Sequence, residues 1–121
     1  MAVHDVKVIS VPVSDQERAK QFYVEKLGFE LARDDDSVPG TRWIQVTPRG
    51  GSVSLTLVTW FETMPAGSLQ GLVLGAENLQ TDCDELGAKG VEFERPLQEQ
   101  PWGIEAVIRD PDGNRLVLQQ A

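Results

Sequence analysis

The sequence predicts an α+β fold in which two βαβββ modules form a curved mixed sheet with helices on its convex face. Three observations predict it. First, the chain runs strand, helix, three strands, and then repeats that order. Second, the two helix-opening residues, Asp15 and Asn78, lie 63 positions apart. Leu27-Gly28-Phe29-Glu30 is echoed by Lys89-Gly90-Val91-Glu92, and an internal repeat outranks any local motif. Third, Ser52–Trp60 alternates: Val53, Leu55 and Leu57 point one way, and Ser52, Ser54, Thr56, Val58 and Trp60 the other. A strand sends successive side chains to opposite faces, so this one has a greasy face for helices and a small polar face for a pocket.

The elements follow in order. Val6–Val13 is rich in β-branched residues and forms the first strand, with Pro12 near its end. Ser14-Asp15-Gln16-Glu17 matches the capping box, a hydroxyl with an acid three residues on. The helix it opens carries Ala19, Phe22, Tyr23 and Leu27 on one face and stops at Gly28. Phe29–Arg33 is the second strand, Asp34–Gly40 a solvated turn, Arg42–Thr47 the third strand and Ser52–Trp60 the fourth. The three aspartates lack the ligand spacing of a calcium loop. Trp60–Ser68 is a loop carrying Trp60, Phe61 and Met64. Leu69–Gly75 is the fifth strand, and Asn78 caps a helix whose face is Leu79, Cys83 and Leu86. Val91–Leu97 is the sixth strand, and Gln100–Gly103 is a loop presenting Trp102. Ile104–Arg109 and Arg115–Gln119 form a hairpin joined by Asp110-Pro111-Asp112-Gly113-Asn114. The chain reads as a single domain over 1–121, with module one at about 1–62 and module two at about 68–121.

Composition narrows the function. At 121 residues, 40% hydrophobic and 25% charged, this is an ordinary globular composition. No apolar run approaches the ~20 residues of a membrane span, and the N-terminus does not resemble a signal peptide. The lone Cys83 excludes an internal disulfide and fits a cytoplasmic protein. Eleven Lys and Arg against 19 Asp and Glu give a net charge of −8. That excludes a nucleic-acid partner, which needs a basic surface, and favours a cationic ligand over an anionic one.

The chain resembles the vicinal oxygen chelate superfamily, which contains glyoxalase I, extradiol dioxygenases and the bleomycin-type resistance proteins. The carriers are Val11-Pro12-Val13-Ser14-Asp15, Phe22-Tyr23 with Leu27-Gly28-Phe29-Glu30, and Asp110-Pro111-Asp112-Gly113-Asn114. The resemblance implies four metal-ligand positions, His or Glu in the family's enzymes. They fall here on Val8, Ser54, Gly71 (give or take one residue) and Val117. None is a useful ligand, because zinc wants thiolate, imidazole or carboxylate and iron oxygenases want two His and a carboxylate. The one histidine, His4, shares the first strand's face with Val8 but lies near a terminus. The expectation is therefore a protein with neither metal nor cofactor and no catalytic residue. Such a member sequesters a hydrophobic aromatic natural product, such as an antibiotic, and resistance proteins of this type act as homodimers.

The expected ligand-binding residues are Trp43, Gln45, Ser54, Thr56, Trp60, Met64, Trp102, Glu105 and Arg115. Tryptophan faces suit a flat aromatic ligand and a cationic group, and Glu62 or Glu105 would supply a counter-charge. Ser and Thr leave room and offer hydrogen bonds. The rival expectation is an enzyme of the lyase, isomerase or dioxygenase kind. It would use a metal held by His4 with Glu62 or Glu105, or Glu105 as a base if burial raises its pKa.

Overall fold

Two parallel strand pairs hold the architecture, one in each half of the chain. The computed structural model describes residues 2–121. In the first half β1 (Val8–Pro12) precedes α1 (Gln16–Gln21), a wider helical turn over Phe22–Lys26, β2 (Glu30–Val38), β3 (Thr41–Thr47) and β4 (Ser54–Val58). In the second, β5 (Leu72–Ala76) precedes α2 (Leu79–Ala88), β6 (Glu92–Gln100), β7 (Gly103–Arg109) and β8 (Arg115–Gln120). Each half makes a four-stranded sheet, ordered β1-β4-β3-β2 and β5-β8-β7-β6. The first and last strands of each module pair in parallel, Val8 opposite Ser54 and Val73 opposite Val117, and the other pairs are antiparallel. A parallel pair needs a long crossover, which the helix and the intervening hairpin supply.

Alternation decides the faces. Val11, Ile44, Val46, Leu55 and Leu57 of the first sheet and Ala106, Ile108, Leu116 and Leu118 of the second share one core with Ala19, Phe22, Tyr23, Leu79, Cys83 and Leu86 of the helical segments. The alternate residues turn away from the helices. Burial and the neighbouring Asp82 and Asp84 charges push the Cys83 thiol pKa up, so it packs as a small hydrophobe.

The helix starts differ in detail from the expectation. Asp15, not Ser14, caps α1: its carboxylate accepts from the Arg18 amide at 3.0 Å. Ser14 instead donates its hydroxyl to Asp112. Asn78 caps α2 as expected, accepting from the Thr81 amide. After Gln21 the helix widens, and the Leu27 amide donates to the Phe22 carbonyl five residues back. Gly28, at φ +75°, then ends it.

Several boundaries moved: β4 spans Ser54–Val58 rather than Ser52–Trp60, and β5 spans Leu72–Ala76 rather than Leu69–Gly75. The aspartate run is not a turn, because β2 continues through it to Val38. Cations make this possible: Lys20 and Arg42 each reach Asp34 at 2.8 Å, and Arg33 reaches Asp35 at 2.9 Å. Those partners hold the Asp34 carboxyl well below the usual range, Arg42 foremost. The sixth strand extends past Leu97 to Gln100, and Pro96 is tolerated because β6 is a sheet edge. The first strand starts at Val8, which leaves His4 outside it.

The Asp110–Asn114 turn does more than close a hairpin. The buried Asp110 carboxylate accepts from the Tyr23 hydroxyl and Asn114 Nδ2, both at 2.8 Å. It also accepts from the backbone amides of Asp112 and Asn114, both at 2.9 Å. Asn114 Nδ2 further donates to the Pro12 carbonyl at 2.8 Å, and Asn114 Oδ1 accepts from the Leu69 amide at 3.0 Å. One turn of module two thus grips β1, the helical segment and the lead-in to β5.

Two outcomes follow from this grip. Tyr23→Phe leaves the packing but removes a hydrogen bond to a buried charge, so urea unfolding should show a loss of about 1.5–3 kcal/mol. Burial, followed by the Asp110 charge, raises the Tyr23 pKa well above 10.0. A raised pKa means the stabilisation is complete below about pH 10 and is lost as pH rises above it. Tyr23 is the single tyrosine. Its ultraviolet ionisation signal should therefore appear only with alkaline unfolding, and ionisation near pH 10 in the folded protein would refute the buried network.

Candidate functional site

The helix-free face of the first sheet is built in cross-strand rows. β3 and β4 pair Gln45 with Thr56, and the same register sets Thr47 beside Ser54. β1 adds Ser10 opposite Thr56 and Val8 opposite Ser54. Thr47 and Ser54 hydroxyls lie 2.7 Å apart, and Ser10 and Thr56 hydroxyls 3.4 Å. Ser54 and Thr56 are 7% and 1% exposed, so this wall is sheltered and its small polar groups are already paired with one another.

Aromatic rings close one end of that wall. Trp43 and Trp60 stack with centroids 6.5 Å apart and planes 24° apart, and Phe61 lies 6.3 Å from Trp60. Trp43 Nε1 donates to Gln45 Oε1 at 3.1 Å, which fixes the indole's edge and leaves its faces for stacking. Beside it, Arg33, Asp35, Val38, Thr41 and Trp43 line a recess of about 210 Å³. The Asp35 carboxyl is lowered to about 2 by the Ser37 hydroxyl and amide and by Arg33. Asp35 stands opposite Trp43 across the strand pair with Arg33 on it at 2.9 Å. Met64 is half-buried in the turn that begins at Phe61.

The second sheet contributes a different surface. Glu105, Val107 and Arg109 of β7 and Arg115, Val117 and Gln119 of β8 occupy its helix-free face. Glu105 is 5% exposed and lies 3.6 Å from Arg95. Glu94 takes Arg109 and Arg115, each at 2.8 Å, and these cations, Arg109 foremost, hold its carboxyl below the usual range. Arg109 Nε is buried with no acceptor among the described residues. Trp102, at the β6–β7 turn, is 64% exposed.

Of the nine residues expected at the site, the structure brings Trp43, Gln45, Ser54, Thr56, Trp60 and Met64 to the first sheet and its flank. Glu105 and Arg115 lie on the second sheet and Trp102 at its turn. No hydrogen bond or ring contact joins the two groups among the described residues. Arg33 falls in the expected second strand without being an expected site residue, and Asp35 is absent from the expectation because the sequence reading puts a turn at the aspartate run. Its alternation of Arg33, Asp35 and Ser37 against the Trp43 strand was the available signal. Glu62, offered as a counter-charge, is exposed.

The four positions of a metal site are also placed. Val8 pairs with Ser54, but Val117 pairs with Val73 rather than Gly71. Gly71 precedes β5 at φ +83°. On either register the set is aliphatic carbons and one hydroxyl, which does not fit a zinc or iron centre. Among the described residues no three His, Cys, Asp or Glu side chains converge to hold a metal ion.

Trp43→Ala should expose Trp60. Its emission should shift to the red, and stability should fall by about 0.5–1.5 kcal/mol beyond the loss of buried area.

Comparison with known proteins places this geometry. The model of the Glyoxalase/Bleomycin resistance protein/Dioxygenase superfamily matches residues 5–118. The chain is 48% identical to TnmS3, an antibiotic binding protein from Streptomyces sp. CB03234. That match has a TM-score of 0.93 and covers 99% of this chain and 98% of the other. A superfamily member from Sphaerobacter thermophilus DSM 20745 is 32% identical with a TM-score of 0.92, and the match covers both chains fully, 100% of each. The Bacillus subtilis (strain 168) protein YetH, described as uncharacterized, is 31% identical over 98% of this chain and 99% of its own length.

Proposed function

The chain belongs to the Glyoxalase/Bleomycin resistance protein/Dioxygenase superfamily, and we propose that within it this protein binds a small aromatic natural product without a metal. One observation carries the reading. Where the superfamily's enzymes place metal ligands, this chain has Val8 and Ser54 in a sheltered wall ending in the Trp43–Trp60 stack. Chemistry that depends on a metal-polarised oxygen has no first ligand to start from. An aromatic ligand has ring faces to slide against and hydroxyls to meet at its edge. The description of TnmS3 as an antibiotic binding protein supports the same class of ligand.

The action is sequestration: a tightly buried compound is withdrawn from its target by mass action. A cationic group on the ligand would sit over the Trp43 face, beside an Asp35 carboxylate that is already paired with Arg33. The two halves of the site lie on different sheets, and we place them in one cleft by pairing two copies of the chain, so that each sheet faces the partner's complementary one. Exposed Phe61 (47%), Val73 (51%) and Trp102 (64%) are apolar groups such a pairing would cover.

Tryptophan fluorescence against a panel of polycyclic aromatic antibiotics tests the reading, with thermal unfolding in parallel. A true ligand should quench emission and raise the melting temperature, adding about 2.7 kcal/mol at a hundredfold excess over its dissociation constant. Trp60→Ala and Trp102→Ala should weaken binding while both variants still melt cooperatively. Affinity unchanged in both would remove the proposed site. Light scattering should report a dimer. Turnover of a bound compound that Glu105→Gln abolishes would favour acid–base catalysis instead.

A further inference from the structure

A second cavity lies outside the helix-free faces, in the seam between the two modules. Its wider part, about 430 Å³, has Leu27, Phe29, Leu74 and Leu118 among its lining residues. A second part of about 340 Å³ is lined by Ile9, Val53, Leu55 and Leu72 with a few small residues. Pro48 and Leu74 line both parts, so the two adjoin, and the second forms an apolar arm beside the first. None of the nine expected ligand-binding residues lines it.

The charges at its wider end are unlike those elsewhere. Seven of the eleven lysines and arginines have a carboxylate within 4.0 Å. Among the described residues the four without one are Lys7, Lys26, Arg49 and Lys89, and the last three all line this cavity. Arg49 donates to the Gly28 carbonyl at 3.1 Å. Lys89 donates to the Glu25 and Lys26 carbonyls at 3.3 and 3.4 Å. These contacts hold two cations in place without neutralising them. Asp82 and Glu85 stand on the α2 wall of the same cavity, while Lys26 and Arg49 stand across the seam on module one. In a chain of net charge −8, a lining of three cations against two acids beside an apolar arm departs from the acidic balance of the whole.

We infer that the inter-module groove is a binding site for an amphipathic carboxylate, an aliphatic chain with an anionic head. The chain lies along Ile9, Leu55 and Leu72, and the head meets Lys26 and Arg49. This does not depend on the aromatic ligand proposed above: none of that ligand's expected residues lines the groove, and Val73, at the edge of the arm, is the one lining residue that the proposed pairing of chains would also cover.

Decanoate, below its micelle concentration, is the probe, titrated into the full chain by calorimetry beside decanol and decylammonium. Decanoate should bind once per chain, more tightly than decanol, with decylammonium weakest, and more weakly as salt rises. The pair Lys26→Glu and Arg49→Glu should weaken decanoate about tenfold and leave decanol unchanged. Ala76→Phe, which fills the wider part, should abolish both; if it does not fold, the charge variant alone decides. Trp60→Ala should leave decanoate binding intact. Absence of decanoate binding, decanol binding as tightly as decanoate, no effect of the charge variant, or loss of binding in Trp60→Ala would each overturn the inference.

Discussion

A carboxylate taken out of water costs several kcal/mol unless donors surround it, and Asp110, 4% exposed, is surrounded by four. Each donor belongs to a different requirement of the fold. The Asp112 and Asn114 amides set the turn, which fixes where β8 begins. Asn114, itself buried, passes the constraint on to Pro12 at the end of β1 and to Leu69 before β5. The Arg115 amide then donates to the Leu69 carbonyl, and the Gly67 amide to the Pro12 carbonyl. Gly67 sits at φ +85°, where a Cβ would collide with the Asp112 carbonyl. The registers of both parallel pairs are therefore tied to one buried charge, and a shift of one residue in either would turn its face inside out.

That register decides the chemistry of the helix-free faces. Residues that alternate with the core become the wall, so the wall's character is whatever the sequence placed at every second position. In the first sheet those positions hold Ser10, Thr56, Gln45 and Trp43 in adjacent strands. In the second they hold Glu105, Arg109 and Arg115, with Arg95 and Glu94 on the edge strand. One module offers hydroxyls and rings, the other a charged lattice. A ligand that meets both must be aromatic at one end and able to accept or share hydrogen bonds at the other.

Much of this was legible because it rests on local signals. The capping residues, the alternation of β4 and the Asp-Pro-Asp-Gly-Asn turn gave eight strands, two helices and the core face of each. What was not legible depended on partners distant in sequence. Asp34–Asp36 contradicts strand propensity; Lys20 and Arg42, brought alongside by α1 and β3, neutralise Asp34, and Arg33 neutralises Asp35. Asp35 was lost from the site for that reason. The repeat spacing of 63 put the third ligand position at Gly71, give or take one residue. The parallel pairing of β5 with β8 is two residues closer in sequence than that of β1 with β4, and no local signal marks the difference. Trp102 was legible as exposed, but nothing in the sequence says what it faces.

Charge bears differently on the two surfaces. The net charge of −8 does not make an acidic cleft, because the acids on the helix-free faces are largely occupied. Arg33 takes Asp35, Arg95 takes Glu105, and Arg109 and Arg115 share Glu94. Paired charges project little field beyond a Debye length, so selection there falls to shape, stacking and the few unsatisfied donors. The seam between the modules is the reverse case: Arg49 and Lys89 there are held by backbone carbonyls, which orient them and leave their charge intact. The pairing pattern, rather than the sum of charges, sets which surface attracts which ligand.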